Sequence, residues 1–177
     1  MNADVSARLA WPSDAAAIAR VQIAAWRQDY ADVLPTEVLL ELDAKQFTES
    51  WDASLNKPQD ARMRVLVALE RASVRGFALV HPSQDPDADA VCDSEVGEFV
   101  IDPLHRRAGH GSRLLQASVD TLKADKFTRA LWWVTANNDI LRTFVTGTGW
   151  ESDGAHRELQ SEGGVTLKQV RLHTAFS

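Results

Sequence analysis

Apolar residues recur along this chain with two different periods, and the switches between them outline its elements. Val5 to Leu9 predicts a short first strand. Ile18, Val21 and Ala25 follow at helical spacing. Ser13 is placed to cap that helix, and Asp14 to sit in its first turn, where the helix dipole favours an anion. The helix is expected to run to about Tyr30. After Pro35, the positions of Leu39, Leu40, Leu42 and Phe47 predict more helix. Met63, Val65, Val67 and Leu69 alternate as a strand requires. Arg71 to Arg75 reads as a turn and Gly76 to Val80 as the returning strand of a hairpin. Pro82 to Ala90, with two prolines, three aspartates and no apolar period, is a surface loop.

Glu95 to Ile101 predicts a further strand, which Pro103 ends because proline cannot donate to a ladder. Leu104 to Gly111 is a loop rich in base and glycine, and Leu115, Val119 and Leu122 give a helix stripe behind it. Ala130 to Thr135 is an apolar strand. Asn138 suits a helix N-cap and Asp139 the first turn, with Leu141, Phe144 and Val145 on the buried stripe. Gly149 suits the end of that helix, since glycine accepts the left-handed conformation there. Trp150 to Leu159 and Val165 to His173 read as closing strands around a turn at Gly163-Gly164. This order predicts an α/β fold: a mixed, largely antiparallel sheet of about seven strands, with helices on both faces.

Composition narrows the function classes. A length of 177 residues suggests a single domain over 1–177. A net charge of −6 opposes binding to a phosphate backbone, so no nucleic-acid partner is expected. No apolar run reaches the roughly 20 residues of a membrane span, and no membrane partner is expected. Met1-Asn2-Ala3-Asp4 lacks the basic start of a signal peptide, and the lone Cys92 fits a reducing compartment, so a cytoplasmic protein is expected. His81, His105, His110, His156 and His173 show no ligand spacing, and no metal is expected.

The chemistry concentrates between Glu98 and Leu122. From His105 to Arg113 there are three arginines and two histidines and no acid. In an acidic protein such a cluster asks for an anion. Gly109 and Gly111 let the backbone approach a ligand, and the helix behind them aims free N–H groups and a positive dipole end at the same point. Together these make a pyrophosphate cradle. No Gly-Lys-Ser/Thr follows, which excludes a Walker loop, and Leu114 stands where a third Rossmann glycine belongs.

The pattern Arg106-x-x-Gly109-x-Gly111 resembles the acetyl-CoA loop of the GNAT superfamily of N-acetyltransferases. Phe99-Val100-Ile101-Asp102-Pro103 is similar to the strand end before that loop. Val134-x-x-x-Asn138-x-x-Leu141-x-x-Phe144, closing with Gly149-Trp150, is similar to the family's second cofactor segment. The resemblance covers nearly the whole chain and implies acetyl-CoA as co-substrate. It implies that the amides of Arg107, Ala108, Gly109, His110, Gly111 and Ser112 hold the pyrophosphate, with Arg106 at the loop entry. Phe99, Val100 and Ile101 would offer backbone groups to the pantetheine arm, in a gap between two central parallel strands that splay apart. Asn138 would hydrogen-bond the cofactor and Phe144 pack against it. Trp26, Tyr30, Trp132 and Trp133 are candidate acceptor contacts, and the closing strands a candidate homodimer surface.

Acetyl transfer to an amine needs a base, because an alkylammonium of pKa near 10 has no lone pair to attack with. Glu98 is the candidate: it shares a strand face with Val96 and Val100, where burial would raise a carboxyl pKa, whereas Glu95 points the other way. A backbone N–H of Val100 or Ile101 is the candidate oxyanion donor. The family's tyrosine acid, just after the helix phenylalanine, is replaced by Val145. A thiolate leaving group of pKa about 8.5 departs acceptably without it. The reading is therefore an N-acetyltransferase acting on an unidentified primary amine. The alternative is an acyl-CoA-binding domain with little or no transfer. Cys92 is read as structural.

Overall fold

The computed structural model describes residues 4–160 and 164–176. The elements in chain order are β1 (Val5–Leu9), α1 (Ala15–Asp29), α2 (Thr36–Leu40), α3 (Ala44–Asn56), β2 (Arg64–Glu70), β3 (Ser73–Pro82), β4 (Asp93–Ile101), α4 (His110–Ala124), β5 (Arg129–Thr135), α5 (Asp139–Thr146), β6 (Glu151–Gln160) and β7 (Thr166–Ala175), with 3-10 turns at Pro12–Asp14 and Pro103–His105. Seven strands share one sheet in the order β1-β2-β3-β4-β5-β7-β6. The β4–β5 pair is parallel, while β1–β2, β2–β3, β5–β7 and β6–β7 are antiparallel. The chain groups into two units, residues 1–80 with 98–121, and residues 81–97 with 122–177.

In the first unit β1 and β2 pair from Val5↔Glu70 to Leu9↔Leu66, and β2 and β3 from Arg64↔Val80 to Glu70↔Ser73. The hairpin turn is tighter than expected. Arg71 takes a left-handed φ of 56°, so Arg71-Ala72 closes it and β3 starts at Ser73 rather than Gly76. Gly76 is needed for closeness: a Cβ there would stand 2.6 Å from Ile101 Cδ1 and 2.8 Å from the Val100 carbonyl oxygen. Ile18 and Val21 of α1 pack with Val65, Val67, Leu69, Val74 and Phe77 in a buried core. Trp51 and Leu55 of α3 pack against that core. Ser13, the expected cap of α1, is exposed. The chain turns helical at Pro12 instead, and the Asp14 carboxylate accepts from the Trp11 amide at 2.7 Å and from Arg8 at 2.7 Å.

In the second unit β4 pairs with β5 from Asp93↔Arg129 to Val96↔Trp132. β5 pairs with β7 from Arg129↔Ala175 to Thr135↔Gln169. Trp132 and Trp150 are both 3% exposed and meet edge to face at 5.5 Å, so they are core residues. α5 ends at Thr146 with Gly147 as its C-cap, earlier than expected, and Gly149, in the turn beyond it, has a positive φ of 100°. Of the expected closing turn, Gly164 has a φ of 80° and Gly163 lies outside the described residues.

The loop after β3 is held by one buried arginine. Arg171 of β7 donates to Asp85 at 3.2 Å, to Asp87 at 2.7 Å and to Asp153 at 2.7 Å. Hydrogen bonds to Asp87 and the other two carboxylates lift its pKa further above the ordinary arginine range. Removing one member of a buried ionic group strands the others without a partner. Arg171→Met is therefore expected to cost about 3 kcal/mol of stability, read from denaturant unfolding. Asp87→Asn, at the exposed end of the same group, is expected to leave the unfolding midpoint nearly unchanged.

Candidate functional site

A cavity of about 430 Å³ opens in the first unit, and Glu98 of β4 lines it. Phe47 and Trp51 of α3, Met63, and Leu79 of β3 form its apolar lining, with Gln22 of α1 and Lys57 beyond the end of α3 among its polar residues. Among the described residues no cation pairs with Glu98. Burial is the cause that lifts its carboxyl pKa from the ordinary value of 4.5 to about 7. A group poised there is protonated about as often as not near neutral pH, which suits a general base.

The walls are fixed by packing. The Trp51 indole N–H donates to Gln22 Oε1 at 2.7 Å, and its ring meets Phe77 edge to face at 5.2 Å. Trp26 meets Phe47 at 5.5 Å and Tyr30 at 6.1 Å, both edge to face. Neither of these expected acceptor residues lines the cavity: Trp26 backs Phe47, which does, and Tyr30 packs on Trp26. Burial raises the Tyr30 phenol pKa, and the charges of Glu98 and Asp29 raise it further, so the hydroxyl keeps its proton where Glu98 ionises.

The basic loop also belongs to the first unit. Arg107 and Gly109 have φ of 62° and 86°, just ahead of the 15-residue helix α4. Left-handed residues in such a run turn backbone N–H groups into a concave anion-binding nest. A Cβ on Gly109 would meet nothing within 4 Å, so the glycine is required by its φ rather than by crowding. His110 opens α4 with its ring 1% exposed and both ring nitrogens lacking a partner. Burial pushes its pKa down, which favours the neutral ring. Open space, left-handed backbone, a helix start and a run without acids fit a pyrophosphate.

The Arg106 side chain does something the sequence did not show. Its guanidinium forms a two-pronged pair with Asp29 at 2.9 Å and 2.9 Å, and its Nε donates to the Ile101 carbonyl at 3.2 Å. It ties the loop entry to the end of α1. The same bonds order the end of β4. The Asp102 amide donates to the Arg75 carbonyl of β3 at 2.7 Å, whereas the Ile101 carbonyl faces Arg106. Strand alternation then turns the Ile101 amide, with its carbonyl, away from β3, and Val100 toward it.

The remaining candidates belong to the second unit. Asn138 caps α5 as expected, its Oδ1 accepting from the Leu141 amide at 3.2 Å. Phe144 is half-buried and Val145 fully buried. Trp133 is engaged by the loop after β3: its indole N–H donates to the two Asp85 oxygens at 3.1 Å and 2.9 Å, and Arg157 lies 4.3 Å from its ring. Glu95 is buried 3.5 Å from His81. Burial raises its pKa and His81 opposes the rise. The Cys92 carbonyl accepts from the Thr128 amide at 2.8 Å just ahead of β5, a backbone contact that does not involve the thiol. Among the described residues no cluster of metal-ligating side chains occurs, and no helix is long and apolar enough to cross a membrane.

Sequence reasoning missed Gln22, Trp51, Lys57, Met63 and Leu79 as cavity walls. Trp51 lies four residues beyond Phe47, on one face of α3, and that spacing was the available signal.

Comparison with known proteins identifies the family and the fold. The model of the acetyltransferase (GNAT) family matches residues 24–147. The chain is 25% identical over 168 residues to the uncharacterized N-acetyltransferase YuaI of Bacillus subtilis (strain 168), covering 95% of this chain and 91% of YuaI. Its fold resembles that of the ribosomal-protein-alanine N-acetyltransferase of Brucella melitensis, with a TM-score of 0.75 at 19% identity over 96% of this chain and 99% of that one. It also resembles yncA of Salmonella typhimurium, solved with its cofactor acetyl-CoA, with a TM-score of 0.72 at 16% identity over 98% and 95% of the two chains.

The Glu98 environment predicts a pH signature in stability. A carboxyl whose pKa is raised by folding binds its proton more tightly in the folded chain. Stability therefore falls as pH rises from about 4.5 through about 7. Glu98→Gln lacks this loss. It is expected to match the wild type at pH 4.5 and to exceed it at pH 8, by up to about 3 kcal/mol, in denaturant melts at the two pH values.

Proposed function

Since this chain belongs to the acetyltransferase (GNAT) family, we propose that it moves an acetyl group from acetyl-CoA to a primary amine by direct attack, with Glu98 as the base. The observation that carries the reading is the Glu98 carboxyl in the cavity wall, unpaired and lifted to about 7. Acetyl-CoA, when bound, supplies the acetyl group as an activated thioester. The amides from Arg107 to Ser112 hold its pyrophosphate in the nest ahead of α4. Arg106 acts differently from the rest of the loop: its bonds to Asp29 and to Ile101 position the loop entry. The outward edge of β4, with the Ile101 amide on it, is the proposed hydrogen-bonding edge for the pantetheine arm and the thioester oxygen.

Glu98 takes the proton from the incoming ammonium, directly or through one water. Its affinity for that proton, near 7, is low enough to leave about half of it ionised at neutral pH and high enough to accept. Trp26 and Tyr30 contact the acceptor side. Tyr30 remains a protonated hydroxyl donor beside Glu98 while Glu98 is charged. Val145 favours a second reading, a domain that binds acyl-CoA and transfers slowly or not at all, because a buried valine has no proton to give the departing thiolate.

One assay separates the two readings. With acetyl-CoA and a panel of primary amines, amine-dependent release of free thiol is expected. The rate should rise with pH through about 7 and drop at least a hundredfold in Glu98→Gln. Binding of acetyl-CoA without release from any amine would favour the second reading. For the loop, Gly109→Glu puts an anion into the nest and is expected to abolish the rise in Tm caused by coenzyme A. Gly109→Ala carries the same φ strain without the charge and should retain part of that rise.

A further inference from the structure

We infer that the cavity beside Glu98 selects a primary amine with one positive charge on an apolar, preferably aromatic body, and that Lys57 excludes dications from it. This rests on the acyl-transfer reading and adds the class of acceptor. Glu98 is the only carboxylate among the residues lining the cavity, and Lys57 the only cation. Among the described residues Lys57 has no ion-pair partner, so its charge is not neutralised by a neighbour. A diamine or polyamine needs a second anion for its second ammonium. Here it meets an ammonium of the same sign, and like charges in a partly enclosed site repel strongly enough to reject a partner.

The wall that remains is uncharged: Gln22, Ser50, Ser54 and Gln59 add polar groups, and the rest is apolar. Phe47, Trp51, Met63 and Leu79 offer ring faces and aliphatic surface. Trp51 is held from two sides, by Gln22 at 2.7 Å and by Phe77 at 5.2 Å, so its indole N–H is already satisfied. The polar edge of that ring asks nothing of a ligand. The volume of about 430 Å³ lies in the ordinary range for a small-molecule site. An apolar body gains by leaving water for these rings and aliphatic groups, whereas a second ammonium loses hydration and finds no second carboxylate in the lining to replace it.

The test compares phenethylamine with 1,4-diaminobutane. The ratio of kcat/KM is measured from amine-dependent thiol release in wild type and in Lys57→Glu, and the binding of each amine to the coenzyme A-loaded protein is followed by calorimetry. Phenethylamine is expected to lead by about tenfold or more in both measurements, and Lys57→Glu to narrow the lead by about tenfold. Lys57 is exposed, so the substitution leaves the fold in place. A wild type that prefers the diamine, a ratio that Lys57→Glu does not move, or a protein that binds neither amine overturns the inference. Selective binding of phenethylamine without thiol release from any amine keeps the inference about the cavity and overturns the acyl-transfer reading instead.

Discussion

A carboxylate largely withdrawn from water, with no cation paired to it, is disfavoured as an anion, and β4 places Glu98 in that state at a cavity wall. Elsewhere in a protein such a group would be paired or replaced, because an unpaired buried charge works against folding. Here no cation among the described residues pairs with it, although Lys57 lines the same cavity: Phe47, Trp51, Met63 and Leu79 are apolar, and Gln22 turns its oxygen to the Trp51 indole. The result is a proton acceptor near pH 7, obtained from burial alone. That property belongs to the environment rather than to the residue. It depends on α1 and α3 packing over the β2–β3 hairpin, which is where the first unit has its core.

The second unit handles charge in the opposite way. Arg171 satisfies Asp85, Asp87 and Asp153 together, and Asp85 also accepts from the Trp133 indole. Every member of that group has a partner, as buried ions in a structural role should. The same chain thus contains a saturated ionic cluster, which fixes a loop, and an unsaturated carboxyl at a cavity. That contrast between paired and unpaired charge is what supports the proposed role of Glu98 as base.

Much of the fold was legible because one period dominated each segment. β1 runs from Val5 to Leu9 as expected, and Asn138 caps α5 with its own side chain. Local chemistry was harder to read where two residues competed for one task. Pro12 starts the helical turn early, so Asp14 rather than Ser13 takes the Trp11 amide. Glu98 was legible from its strand face, and the left-handed Gly109 from its place in the loop. The cavity walls were not, because they are brought together from α1, α3, β2 and β3 by tertiary packing, and no local period encodes that meeting. Nor could the fate of a long side chain be read. Arg106 reaches Asp29, 77 positions away, and Trp133 is engaged by Asp85, 48 positions away.

The account stands or falls on the titration of one side chain. Labelling the glutamate carboxyl carbons and following their NMR shifts from pH 4 to pH 9, with Glu98→Gln to assign the signal, reads it directly. One carboxyl is expected to titrate near 7, well apart from the ordinary glutamates, and to vanish in the variant. A Glu98 signal that titrates between 4 and 5 with the others would contradict the account, because it would mean the carboxylate is hydrated or paired and holds no proton at neutral pH.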